Sequence, residues 1–578
     1  MYITFGLYLI LFIFYLSIKT VESRSLDGSD NNLLFPDKGK PAQPYLREFP
    51  PDPFYPDGKG KMLKSPDSSM IKCTDPLPKE TYPSPRCIFN QFTYNLSPLD
   101  VERKSELRSK RKISHMTTWF GQYISFDISA SRNEIPSTPL YIPADDANYN
   151  SPNSIPITKS LPFNITGPNT LNTTDTLNSV RNGVDVVTPF LDLNMIYGLS
   201  DDQLANLRDG TSCKLLTIYG NSWNDQRYFE EARRWTIALY QKTVSEEYIG
   251  VITGRPLPPY EGYKPDIIPG IDTFFSTVTF RYGHSELSDT YRIQDKFGDT
   301  VVDLTLSQIR NQSLLETFGL NSVLRSMALQ RQEEIDIFFS DSIRNFISIE
   351  PNVYDLPAFD ILRSRDRGIA LYNTVREAYG LSRKNTWSEV TNNEYLQNKL
   401  QSLYPNGPDT AESFVGALCE NHLEGSNFGE LLNKSIVTQF NRIRETDRFW
   451  WESPEMFNES ERSILRETTF HDIIVRNLKI DDNSSQFIRN LWMVQPNNEL
   501  VSEDDKEFKT KIDPWALYTI RYRLDNTHIH FKIEFQTAGG EGWFGMGFDP
   551  SDTGMKDAEF IVGIVKNQNI GSIKLCRC

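Results

Sequence analysis

The chain has 578 residues, 38% hydrophobic and 24% charged, with a formal net charge of −15. That balance argues against nucleic acid or an anionic membrane surface as partner, and the length allows one large domain followed by a smaller one. Six cysteines are too few for a disulfide-built scaffold in a chain this long, so an apolar core must hold the fold.

In chain order, residues 5–18 form an apolar run and Val21-Glu22-Ser23 offers a small-residue cleavage point. Residues 1–23 therefore read as a signal peptide, with an uncleaved N-terminal anchor as the alternative because no basic residue precedes the run. Asn-x-Ser/Thr sequons at Asn95, Asn164, Asn172, Asn311, Asn433, Asn458 and Asn483 suit passage through the secretory pathway, so a secreted or extracellular glycoprotein is expected. Residues 24–99 form a Pro-rich arm; Pro, Gly and Lys crowd 34–86, which predicts an extended path in place of helix. Cys73 and Cys87 are the expected local bridge, Cys213 and Cys419 are candidates for a second, and Cys576 and Cys578 stand one residue apart.

Helical spacing dominates residues 100–497, with helices predicted over 321–335, 393–403 and 427–444. Residues 131–188, rich in Pro, Asn, Ser and Thr, read as a long loop. The fold class is mainly α. A charged linker is expected over 498–513, and residues 514–578 change to alternation: Tyr518, Ile520, Tyr522 and Leu524 on one face, a turn at Asp525-Asn526, then Ile529, Phe531, Ile533 and Phe535. That is a β-hairpin.

Apolar Phe274, Phe275, Val278 and Tyr282 recur at helical spacing after Pro269-Gly270-Ile271, which predicts an amphipathic helix with His284 near its end. A lone helical histidine is more often structural than a ligand. The surrounding run Phe280-Arg281-Tyr282-Gly283-His284-Ser285, however, resembles the proximal-histidine segment of animal-type haem peroxidases. Other segments agree in the same order: Trp119 to Asp127 resembles the distal helix, Thr188 to Gly198 the calcium loop, and Phe229 to Arg234 the segment before the proximal one. Asp360 to Gly368 with Tyr372, Asn373 and Arg376, and Gln439-Phe440 through Glu452, are similar to later landmarks. Near the N-terminus, Asp27 to Leu33 resembles the opening of the peroxidase-homology domain of dual oxidases. At the other end, Gly542 to Phe548, Gly554 to Glu559 and Ile561-Val562-Gly563 resemble a DOMON domain, a β-sandwich. Residues 514–578 are about half of what a sandwich needs. By that analogy Met555 would be a haem ligand; a plain buried or surface methionine is the blander alternative.

The resemblance implies haem b, with His284 as proximal iron ligand and Arg363 among the haem-binding residues. Asp360 stands where the family usually carries an amide, and would draw on the imidazole N–H more strongly. Pairing of Asp360 with Arg363 or Arg365 is the structural alternative. It also implies Ca2+ held by Asp127, Thr188, Phe190 (through its carbonyl), Asp192 and Asn194, since a hard cation takes several oxygen donors. A solvated loop is the alternative there.

On the distal side the family pattern fails. Peroxide cleavage needs a base to move a proton and a cation to steady the separating charge. The distal histidine position is Phe126 and the haem-esterifying carboxylate position is Ser125, while Gln122 keeps a distal-pocket position. His115 lies eleven residues before Phe126, roughly 16 Å along a helix, too far to substitute. From Cys213 through Asn221-Ser222-Trp223 to Phe229 no Gly-Asp-x-Arg segment supplies a distal arginine.

Two function classes follow. One is a secreted haem-binding oxidoreductase of weak activity, acting on hydrogen peroxide and small reductants. The other is a non-catalytic binding or adhesion module on the same fold, with extracellular matrix, carbohydrate or a membrane oxidase as partner. Fatty-acid oxygenation, which by resemblance would need a Tyr-x-Trp-His run, ranks last because the chain has none.

Overall fold

A computed structural model describes residues 24–49, 73, 82–92, 107–131, 183–207, 224–294, 301–309, 313–347, 353–478 and 490–494, with short pieces between 133 and 160 and strand backbone between 509 and 577. The chain divides into two compact units, residues 1–99 with 103–500, and residues 100–102 with 501–578.

The first unit is helical. Helix α1, Pro85–Gln91, begins with proline at its first position, where no intrahelical N–H is lost. Cys87 on α1 is disulfide-bonded to Cys73, as the spacing predicts. Arg86 pairs with Asp146 and Asp355 at 2.6 Å, all three side chains fully buried. Breaking such a buried pair from one side costs about 3–5 kcal/mol, so this triad ties the arm to the helical body.

Helix α2, His115–Ile128, buries Met116, Thr117, Gly121, Ile124, Ser125 and Ile128, a three-and-four repeat that makes one packed face. Helix α3, Asp225–Lys242, is capped by the Asn224 side chain. It runs into a π-helical turn, Thr243–Tyr248, and then α4, Ile249–Thr253. Gly254 ends that rod at φ +76°, where a Cβ would lie 2.3 Å from the Gly425 carbonyl oxygen, so only glycine fits.

The proximal segment differs from a single amphipathic helix. Asp272 accepts from the Phe274 and Phe275 N–H groups and starts α5, Thr273–Thr277, which gives way to a 3-10 helix, Thr279–His284. The β-branched and aromatic residues from Thr277 to Tyr282 favour the tighter turn over continued α-helix. Helix α6, Leu320–Ala328, also stops short of the predicted 335, because Arg331 and Glu333 instead bridge to Ser114 and Arg108. Helices α7, Leu356–Asp366, α8, Glu394–Leu403, and α9, Glu430–Glu445, lie within a few residues of the predicted positions or landmarks. Helix α10 spans Glu459–Glu467. A hairpin pairs β1, Thr290–Gln294, with β2, Val301–Thr305.

Within the predicted loop 131–188, Asn133–Pro136 pairs with Thr158–Ser160 and Leu140–Tyr141 with Ser154–Ile155. Cys419 is a buried free thiol, not half of a disulfide; Cys213 lies outside the described residues.

In the second unit, β3, Lys509–Ile512, β4, Tyr518–Leu524, and β5, Ile529–Phe535, form one antiparallel sheet. The β4–β5 register pairs Leu524 with Ile529, the hairpin read from alternation, and β3 occupies part of the expected linker. Strands β6, Gly542–Phe548, β7, Glu559–Lys566, and β8, Asn569–Arg577, form a second antiparallel sheet with an irregularity at Ile564/Val565. Met555 lies outside the described residues.

Candidate haem cleft and cation loop

Helix α2 and the 3-10 turn face each other across a narrow, partly open cleft whose lining includes Thr118, Trp119, Gln122, Ser125, Arg281 and His284. Gly121 also lines it and allows a close approach: a Cβ there would lie 2.2 Å from the Tyr248 hydroxyl, which sits 2.6 Å from that of Tyr282. Both tyrosines are buried, so this contact fixes the spacing of the cleft walls.

His284 ends the 3-10 turn, and its Nδ1 lies 2.6 Å from Asp360 Oδ2 on α7. A carboxylate only accepts, so Nδ1 carries the proton and Nε2 of the neutral ring keeps a lone pair. The Asp360 side chain is 5% exposed, a setting in which this one hydrogen bond strongly fixes the tautomer. Asp360 does not pair with Arg365, whose Nε binds Glu412 Oε1 at 2.6 Å.

The Arg363 guanidinium, one turn along α7, makes no hydrogen bond or ion pair among the described residues. Burial, reinforced by Arg281 and Arg367, pulls its pKa down to about 10. The Asp360 carboxylate partly offsets those like charges, and Arg363 lies outside the lining of the cleft.

Gln122 lies in the cleft wall and is exposed, whereas Phe126, one turn on, is 49% exposed and does not line the cleft. His115 is fully buried with Nε2 3.0 Å from Ser288 Oγ. It serves packing at the start of α2.

The cation-loop residues come together. Asp127, Thr188, Phe190, Asp192 and Asn194 are all buried. Thr188 Oγ1 donates to Asp192 Oδ2 at 2.8 Å, and Leu193 N–H donates to Asp127 Oδ2 at 3.3 Å. Leu193 holds φ +59°, a left-handed conformation that turns the chain at this point. The Asn194 amide nitrogen is within hydrogen-bond distance of the Asp127 carbonyl, Thr188 Oγ1 and Asp192 Oδ1. It has two hydrogens for three acceptors. Asp127 Oδ1 is buried and has no donor in hydrogen-bond geometry among the described residues, although the buried Tyr240 hydroxyl is near enough to act on this carboxylate. Burial, then the neighbouring Asp192 carboxylate, hold Asp127 well above the usual carboxylate range; burial raises Asp192 too, against the pull of Arg24. This surplus of buried oxygens fits a hard cation bound by two carboxylates and neutral donors.

Sequence reading missed one cleft residue, Glu286. It is fully buried, accepts from Gln332 Nε2 at 2.9 Å through Oε1, and burial pushes its carboxyl up to about 8. An acid two residues from a candidate ligand carries no sequence signal of its burial.

Comparison with known proteins identifies the class. The animal haem peroxidase family model matches residues 23–222 and 211–488, and the chain belongs to that family. Peroxinectin A of Dictyostelium discoideum is 26% identical over 85% of this chain and 98% of its own length. Dual oxidase of Drosophila melanogaster is 32% identical over 47% of this chain but 18% of that protein. Lactoperoxidase of Mesocricetus auratus is 32% identical over 51% of this chain and 43% of its own. Among solved structures, Peroxidase A from Dictyostelium discoideum superposes with a TM-score of 0.66 at 23% identity, covering 79% of this chain and 97% of that one. Oryza sativa fatty acid alpha-dioxygenase gives 0.64 at 13%, covering 82% and 87%. At those identities the likeness is one of fold.

Proposed function

We propose that this chain is a secreted haem-binding oxidoreductase acting on hydrogen peroxide, with a degenerate distal site that makes turnover slow. The observation that carries it is the His284–Asp360 pair, which leaves one imidazole nitrogen with a free lone pair on the wall of a partly open cleft. Animal haem peroxidases bind haem and act on peroxide and reductants. The residues present fit that group on the proximal side: His284 would ligate iron through Nε2, Asp360 would hold its tautomer, and Arg363 would meet a carboxylate of the haem edge.

When bound, haem supplies an iron with an open coordination position for peroxide. The chain's own contribution is unequal. Asp360 makes His284 a stronger donor, which favours oxidised iron. Gln122 offers an amide for orienting a small ligand in the cleft. Nothing at Ser125 or Phe126 takes up a proton at neutral pH. Acid–base assistance is worth about 10²–10⁴ in rate and an electrostatic donor about 10²–10³, so turnover falls well below that of a complete site. Haem b and Ca2+ complete the proposal, the cation pinning α2 through Asp127. The C-terminal strands fit a partial DOMON-like β-sandwich.

The exposed Phe126 on α2 favours a second reading, a non-catalytic binding module that keeps the fold without the chemistry. Peroxide oxidation of a chromogenic phenol by haemin-loaded protein separates the two. Turnover abolished in His284→Ala supports the enzyme, and a rate equal to that of free haemin sinks it.

A further inference from the structure

Two of the sequons are described in full, and they stand in opposite settings. Asn433 lies on α9, where its Nδ2 donates to the Thr253 carbonyl and to Ser426 Oγ, each at 2.9 Å. The third residue of that triplet, Ser435, is fully buried; its hydroxyl lies 2.7 Å from Thr279 Oγ1 and accepts from the Tyr379 hydroxyl at 3.0 Å. Both residues serve the packing of α9 against its neighbours. A sugar on Asn433 would leave one amide hydrogen for two acceptors and force a bulky polar group into a packed contact.

Asn458 is exposed at the start of α10. Its Oδ1 accepts from Glu461 N–H at 3.0 Å, and its own N–H donates to Glu461 Oε2 at 2.8 Å, a reciprocal capping box. The cap uses only the side-chain oxygen. Nδ2 donates to nothing among the described residues, and Ser460 is exposed.

We infer that Asn458 is a site of N-linked glycosylation and that Asn433 is not. In the transfer, Asn458 Nδ2 forms a bond to the anomeric carbon of an oligosaccharide carried as a lipid pyrophosphate. The carbon–oxygen bond to the pyrophosphate breaks, and Nδ2 gives up one proton. No electron changes hands, and the helix cap survives because Oδ1 is untouched. Transfer acts on the extended chain, and the fold then determines which glycan it tolerates.

This inference rests on the secretory reading, and the experiment separates the two. The full chain is produced in a eukaryotic secretory host behind a foreign cleavable leader, so that it enters the pathway whatever its own first residues do. Glycans are released with an amidase in heavy-oxygen water, and asparagine-to-aspartate conversion is read at each sequon by mass spectrometry, in the secreted and the retained pools alike. The expected result is conversion of most Asn458 in both pools and of no Asn433 in the secreted, folded pool. Ser460→Ala then removes one glycan, with the Asn458 cap still in place. Unconverted Asn458, or converted Asn433 in folded protein, overturns the inference. A parallel preparation with the native N-terminus in which no sequon is converted counts against the secretory reading alone.

Discussion

His284 Nδ1 lies 2.6 Å from Asp360 Oδ2, the carboxylate being almost fully buried. In the proposed role the pair would leave Nε2 as the nitrogen for iron and give the ring more anionic character than an amide partner would. Loss of such an outer partner typically costs 10–100-fold in metal affinity. Asp360→Ala is therefore expected to weaken haem binding by about that factor. Asp360→Asn should retain haem while lowering the iron–histidine stretching frequency in resonance Raman spectra. An unchanged frequency in Asp360→Asn sinks the role given to the carboxylate.

The cation loop yields a stability prediction. Asp127 and Asp192 have raised pKa values in the fold without a cation, chiefly from burial and, for Asp127, from Asp192. A raised folded pKa means stability present at acid pH that is lost as pH rises through the folded value. Ca2+ offsets that loss. At a hundredfold excess over its dissociation constant it should add about 2.7 kcal/mol at neutral pH, a rise in Tm of several degrees. The gain should shrink as pH falls through the raised folded values of the two carboxyls, where protons compete with the cation. Thermal melts with calcium and with chelator check this, and identical melts at pH 7 would remove the site.

Glu286 carries a separate pH signature. Burial raises its carboxyl from 4.5 to about 8, so its contribution is fully present below about pH 4.5 and disappears as pH climbs toward 8. Glu286→Gln keeps the oxygen that accepts from Gln332 and abolishes the titration. The variant should match the parent at pH 4 and exceed it at pH 8.5 by on the order of 5 kcal/mol at most. Denaturant midpoints across that range decide it; parallel curves would place the Glu286 carboxyl in water.

Restoring a base on the distal side tests the explanation for slow turnover. Gln122 is exposed in the cleft wall, whereas Phe126 lies outside it, so Gln122→His places a base in the cleft at little packing cost. Peroxide consumption by haemin-loaded protein should rise on the order of 10²-fold, the lower end for acid–base assistance, because no distal cation is added. No change would mean that position 122 does not face bound peroxide.

Periodicity made most of the helical body legible, and the motif around His284 singled out its partner region before any geometry was known. What was not legible depended on long-range partners. The proximal segment tightened into a 3-10 turn, where Thr279 is held by Ser435 on α9. Helix α6 ended early because Arg331 and Glu333 pair with residues over two hundred positions earlier. Glu286 looks like an ordinary surface acid in sequence; only packing buries it. The candidate cation-loop residues Thr188, Phe190, Asp192 and Asn194 were legible through the resemblance to the family's calcium loop, while the crowding of their oxygens emerged only when α2 brought Asp127 among them.

The most direct test is an absorption spectrum of the full chain supplied with haemin, in the parent and in His284→Ala, before and after hydrogen peroxide. A stoichiometric Soret band that is lost in His284→Ala and shifts slowly with peroxide is expected. A chain that takes up no stoichiometric haem, or whose band survives the substitution unchanged, would contradict iron ligation by His284 and leave the binding-module reading in its place.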